Sequence, residues 1–141
     1  MAEPDAPDPI EPAAFATAKL PDAFDLLAPD GSEVRVLAGV ARGGMAHFRL
    51  PAGETSRAVR HRTVEEIWYI LQGQGEVWRS ANGREEITAL SPGVCLTIEA
   101  GTAFQFRAFG EGALAILGVT MPPWPGSAEA IPVDGRWPAT A

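Results

Sequence analysis

His61 with Glu66 is the one acid/base pair that this sequence singles out. An imidazole and a carboxylate in an apolar setting can anchor a ligand through polar contacts, or exchange protons with it. The same two residues could equally form a buried ion pair with no chemical role, since perturbed pairs mark sites only statistically. As metal ligands they fall short, because catalytic metal sites take about three protein donors. The other histidine, His47, lies in a run (45–50) that should turn Phe48 and Leu50 inward, which sends His47 outward. The opposite parity would make it a third donor. Arg57, Arg60 and Arg62 form a basic run beside Glu54 and Glu65, read as a solvated rim, with an anion-binding mouth as the sharper alternative. Cys95 is the sole cysteine, so no intrachain disulfide forms; its apolar neighbours suggest an inert buried thiol. Neither histidine has a spacing to Ser and Asp that implies a nucleophilic triad, and no glycine run forms a phosphate loop between a strand and a helix.

The elements that must position His61 and Glu66 are short strands. Candidate strands cover residues 33–38, 45–50, 64–71, 76–80, 85–90, 94–98, 103–109 and 113–121. Turn chemistry separates them: Pro29-Asp30-Gly31-Ser32, Gly43-Gly44, Pro51-Ala52-Gly53, Gly73-Gln74-Gly75, Ser91-Pro92-Gly93 and Gly110-Glu111-Gly112. Asn82-Gly83 is a strong hairpin signal, since both residues tolerate positive φ. Strands at this even spacing suggest an all-β sandwich or barrel. Residues 21–28 could form a helical turn or two, with Phe24, Leu27 and Leu26 toward the domain. In the run 64–71, period two puts Glu66, Trp68 and Ile70 on one face and Glu65, Ile67, Tyr69 and Leu71 on the other. Trp78 and Arg79 follow a turn that parity cannot cross, so their faces stay open.

Two stretches carry a family resemblance. Residues 53–75 resemble the first cupin signature: Gly, five residues, His-x-His, three or four residues, Glu, six residues, Gly. Set on Gly53, it places Val59 and His61 in the two His positions, Glu66 in the Glu position and Gly73 in the final Gly position. Choosing Glu65 instead would put Gln72 where Gly belongs. Residues 93–108 resemble the second signature: Gly, five residues, Pro-x-Gly, two residues, His, three residues, Asn. Gly93 and Gly101 fit, while Glu99 stands for Pro, Phe104 for His and Ala108 for Asn.

The resemblance implies a single-domain double-stranded β-helix, or jelly-roll, barrel with Glu66 facing its interior. The expected cavity is lined by Val59, His61, Glu66, Trp68, Phe104 and Phe106, with His61 and Glu66 as its polar or catalytic groups. Two of the family's four metal positions are filled by Val59 and Phe104. No cofactor is therefore expected, and a divalent transition metal on His61 and Glu66 is the lesser alternative. The outer face of 64–71 needs a cover, either the tail or a second subunit, and the family's habit of pairing barrels implies a homodimer. The reading is a small-molecule-binding protein. The alternatives are a metal-dependent oxygenase or isomerase with an incomplete ligand set, and a non-catalytic dimeric binding or regulatory module. The resemblance does not choose a substrate, because one fold hosts many functions.

At 141 residues, one core is the expectation. The net charge of −7 is uneven: residues 1–30 hold seven acids and one base, so the rest is nearly neutral. Nothing there favours nucleic acid or an anionic membrane. No apolar run approaches the length of a membrane span and the start lacks a signal-peptide pattern, so a cytoplasmic protein is expected. Residues 1–20, rich in Pro, Ala and acids, are expected to be mobile, with the barrel over 21–121. Residues 122–141 hold Trp124, Ile131, Val133 and Trp137, and are expected to lie on the barrel as an irregular strap.

Overall fold

The computed structural model describes residues 15–141. Most of the segment expected to be mobile therefore lies outside the described residues. Among the described residues, eleven strands build two antiparallel sheets that face each other. The first sheet takes β1 (Leu26–Leu27), β2 (Glu33–Val40), β3 (Gly43–Leu50), β10 (Leu114–Met121), β5 (Glu65–Gln72) and β8 (Cys95–Ile98), in that order. The second takes β11 (Ala130–Pro132), β4 (Val59–His61), β9 (Ala103–Ala108), β6 (Gly75–Ala81) and β7 (Arg84–Leu90). The architecture is an all-β jelly roll. Among the described residues no helix is long and apolar enough to cross a membrane.

Period two decides which side chains enter the core. From the six-stranded sheet come Leu50, Trp68, Ile70, Leu96, Ile98, Leu114 and Ile116; from the five-stranded sheet come Val59, Val77, Leu90, Phe104, Phe106 and Ala108. Asn82 and Gly83 both have positive φ, 52° and 77°, and close the β6–β7 hairpin at the pair Ala81 and Arg84. That is the two-residue turn whose twist matches the strands it joins.

Residues 21–28 do not form the expected helical turn. Leu26 and Leu27 pair with Val34 and Glu33 as β1, and Phe24, Leu26 and Leu27 are all exposed. The cause is the turn that follows: Asp30 Oδ1 accepts from the Ser32 amide and hydroxyl, and the Ala28 amide donates to the Ser32 carbonyl. This turn folds the segment back as a hairpin.

The last twenty residues are more regular than an irregular strap. After a cis Met121–Pro122 peptide and a single 3-10 turn at Ser127–Glu129, β11 pairs with β4, placing Ala130 opposite His61. Gln105, 1% exposed, fixes the next stretch: its amide donates to the Ser56 and Trp137 carbonyls, and its carbonyl accepts from the Arg136 and Trp137 amides. Arg107 stacks its guanidinium 4.2 Å from the Trp137 ring centre. The Thr140 and Ala141 amides then donate to the Thr55 carbonyl.

Two sequence expectations change here. Arg57 and Arg62 are not simply a solvated rim, since each donates to the C-terminal segment, at the Ala141 and Ala128 carbonyls. Cys95 is exposed rather than buried, because it lies opposite Tyr69 on the outer face of β5 and β8 while its neighbour Leu96 takes the inward position.

Candidate functional site

Strand β4 and strand β5, consecutive in the chain but in different sheets, carry the acid/base pair. β4 buries Val59 and His61 and exposes Arg60; β5 buries Glu66, Trp68 and Ile70 and exposes the residues between. The Thr63–Val64 turn linking the strands is held by Glu129, whose Oε1 accepts from both backbone amides and from the Thr63 hydroxyl. Burial opposes ionisation of Glu129, but those amide and hydroxyl donors, with His61 nearby, hold its carboxyl below the ordinary value of 4.5. A charged residue of the C-terminal segment thus sets the angle between the two strands that present His61 and Glu66.

His61 Nδ1 lies 3.2 Å from Glu66 Oε2, and both side chains are 5% exposed. The contact is close but not aligned, so His61 Nδ1 has no hydrogen-bond partner among the described residues. The other carboxyl oxygen, Oε1, accepts from Trp68 Nε1 at 3.1 Å. Aromatic edges surround the pair. The His61 ring meets Phe104 at 5.2 Å and Trp124 at 4.9 Å between centres, both edge-on, and Trp68 meets Phe104 and Phe106 in the same way. Phe48 completes the wall from β3. It fits because position 118 is glycine: a Cβ there would sit 2.6 Å from the Phe48 ring and 3.7 Å from Glu66 Oε1.

Desolvation dominates both groups. Burial pulls the His61 imidazole down to about 4, against the opposing pull of the Glu129 charge and the Val64 backbone. Burial pushes the Glu66 carboxyl up to about 7, against the Trp68 hydrogen bond, with Asp30 adding to the rise. Distance alone suggests an ion pair, but the two directions agree that each group is neutral between these values. With Oε1 accepting from Trp68, the Glu66 proton belongs on Oε2, the oxygen nearer the imidazole but not aligned with its Nδ1. The arrangement can therefore offer a proton from the acid and accept one at the imidazole.

All six residues expected to line a cavity are together and buried, but they form a packed cluster. Recesses open elsewhere. One of about 400 Å³ lies on the outer face at Arg35, His47 and Arg49, and one of about 650 Å³ lies between Ala38, Met45 and Val119. His47 does point away from the barrel interior, as its parity requires, yet it is only 7% exposed because it sits under Leu20–Asp22. Trp78 and Arg79, whose faces parity left open, are both tied down: Trp78 Nε1 donates to Glu85, and Arg79 donates to the Thr97 carbonyl, Glu86 and Thr88.

The donor set does not fit a metal. Val59 and Phe104, which occupy the two remaining ligand positions of the family pattern, are direct cross-strand partners and purely apolar. Among the described residues no group of three or more His, Cys, Asp and Glu side chains gathers to hold an ion. The sequence offered no route to Trp124 or Glu129 as parts of this site, whereas its parity already turned Phe48 inward. Trp124 and Glu129 reach it from the far end of the chain, and Phe48 reaches it from β3, across β10 in the same sheet.

A barrel of two facing antiparallel sheets with this strand order defines a double-stranded β-helix protein. The cupin domain family model matches residues 46–120, and the chain belongs to the cupins. No curated protein matches its sequence. Solved structures do match. KdgF from Halomonas sp. is 18% identical, with a TM-score of 0.61 over 73% of this chain and 93% of that one. The Drosophila melanogaster CENP-C cupin domain is 17% identical, with a TM-score of 0.65 over 82% and 85%. A Thermotoga maritima protein described as a predicted oxalate decarboxylase is 19% identical, with a TM-score of 0.58 over 76% and 99%. At these identities the likeness is one of fold.

Proposed function

We propose that this cupin binds a small, largely apolar molecule at the barrel mouth, with the His61–Glu66 pair as its polar contact and no resident metal. The observation that carries this reading is His61 Nδ1, a buried nitrogen without a partner inside an aromatic box. Buried polar atoms are normally satisfied, so an orphan beside a protonatable acid calls for a ligand atom next to it, and 3.2 Å leaves no room for one between the two groups. Trp124 is the gate. It is 37% exposed and sits in the irregular link 122–126, so it can swing away without breaking a sheet. The pair offers one donor and one acceptor to a neutral guest.

The test is a screen of neutral fragments carrying one donor and one acceptor, read by the His61 imidazole and Trp68 indole signals in NMR. Wild type and Trp124→Ala are screened side by side. Hits are expected to move both signals, to bind more tightly to Trp124→Ala, and to vanish in His61→Leu. If no fragment moves either signal in either protein, the reading fails.

A second reading concerns the outer face of β5. Ile67, Tyr69 and Leu71 are 42%, 47% and 43% exposed. The C-terminal segment does not cover them, since it is hydrogen-bonded to β4 and β9 of the other sheet. Contiguous apolar surface of this kind marks an interface. A second copy of the chain is the occupant that supplies a matching apolar surface, giving a homodimer of barrels back to back. The Drosophila CENP-C cupin domain, seen in one structure bound to CAL1, is a cupin fold that takes a protein partner.

A further inference from the structure

We propose that the recess on the outer face of the six-stranded sheet is an oxyanion site, built by Arg35 and His47 for a small molecule bearing a carboxylate or phosphoryl group. It is separate from the barrel mouth. Strand register creates it: Arg35 on β2 lies directly opposite His47 on β3, and Arg49 lies opposite Glu33. Gln72 of β5 and Ala115 of β10 close the side, and Leu20–Asp22 form the roof.

Two buried nitrogens in this recess have no partner among the described residues, Arg35 Nη1 and His47 Nδ1. They belong to cross-strand neighbours, so one small anion can accept from both. Arg35 is already held in place from behind, donating through Nε to the Pro21 carbonyl and through Nη2 to the Asp22 carbonyl. Both of these partners are neutral main-chain oxygens, so among the described residues no carboxylate pairs with the guanidinium, which is oriented but not compensated by them. His47 is 7% exposed. Two acids bear on the recess. Glu33 is committed to Arg49 at 3.2 Å, and Asp22 lines the rim and opposes an anion. A guanidinium with an imidazole across the strand from it is oxyanion chemistry, because a charged donor such as Arg35 binds carboxylate and phosphate oxygens best. The volume of about 400 Å³ exceeds a bare ion and suits a small metabolite. Its non-polar part would rest on Leu20, Ala113 and Ala115.

Inorganic phosphate and acetate are the probes, titrated separately by calorimetry and by the His47 imidazole signal in low-chloride buffer at pH 6. Saturable one-to-one binding of at least one of them is expected, and the tighter probe identifies the class as phosphoryl or carboxylate. Asp22→Asn keeps the main-chain carbonyl that holds Arg35, so it should fold normally and tighten binding severalfold. His47→Leu should weaken binding tenfold or more, and His61→Leu should leave it unchanged. The proposal is overturned if neither anion saturates in the millimolar range, if Asp22→Asn leaves affinity where it was, or if binding depends on His61 instead.

Discussion

Substituting Glu66 by Gln should make stability steeply dependent on pH where the wild type is flat. The reasoning starts from two neutral groups. His61 has a folded value near 4 against an ordinary 6.5, so between these pH values the unfolded chain binds a proton that the folded one does not. Stability from this group is present above 6.5 and is lost as pH falls through 4. Glu66 has a folded value near 7 against an ordinary 4.5, so the folded chain holds the extra proton. Its contribution is present below 4.5 and is lost as pH rises through 7. At 1.36 kcal/mol per pH unit, each limb amounts to about 3 kcal/mol, of opposite sign. From pH 4.5 to 6.5 the two cancel. Because Glu66 is uncharged in that window, replacing it with Gln leaves the field at His61 nearly unchanged and removes only its own limb. Stability of Glu66→Gln should then rise by about 3 kcal/mol from pH 4 to 6.5. With a urea slope of roughly 1–3 kcal/mol per molar, the midpoint should climb by about 1–3 M. His61→Gln should show the mirror image, falling between pH 4.5 and 7. Other titrating groups act alike in all three proteins, so difference profiles isolate the pair. A flat profile for Glu66→Gln would refute the neutral-pair assignment and restore a buried ion pair.

Three further outcomes are expected. Gln105→Leu should destabilise the protein by about 3 kcal/mol or more, since four main-chain groups lose their buried partner. It should also expose Arg136 to trypsin, and cleavage no faster than wild type would show that Gln105 does not anchor the tail. Light scattering at micromolar concentration should give about twice the chain mass of 14.9 kDa, and Tyr69→Glu should return the monomer; a monomeric wild type removes the back-to-back dimer. Protein purified without added metal should carry well below one equivalent, while Val59→His with Phe104→His should take up zinc or nickel one-to-one. One tightly held metal in the unmodified chain would contradict the donor count.

The strands were legible because alternation and turn residues act locally. The run 64–71 and β5 differ by one residue at each end, and the Asn82-Gly83 turn falls where both residues take positive φ. Strand β4 has only three residues, too short for a periodic signal, and β1 depends on a hydrogen-bonded turn at Asp30–Ser32. Inside the site, parity alone placed Glu66 and Trp68 together. It could not reveal that Trp124 and Glu129 return from the tail to enclose His61, because sequence distance hides such closures. The protonation of the pair was out of reach for the same reason. Burial and mutual attraction act in opposite directions on it, and only the aromatic packing decides between them.

The barrel mouth and the outer recess draw on the same strands without sharing a side chain. On β3, Phe48 enters the core beside Glu66 while its neighbours His47 and Arg49 take the outer face. On β5, Glu66 points in and Gln72, at the far end of the strand, borders the recess. A one-residue slip of β3 against β2 would break both sites at once, sending His47 into the aromatic box and Phe48 into solvent. The bulge between Val36 and Ala38 lies past the Arg35–His47 pair, toward the open end of the sheet. The register irregularity it introduces therefore leaves the pairing of Glu33, Val34 and Arg35 intact. Substitutions confined to one face should accordingly leave the other site's binding unchanged, whereas a substitution that loosens the β2–β3 register should damage both together.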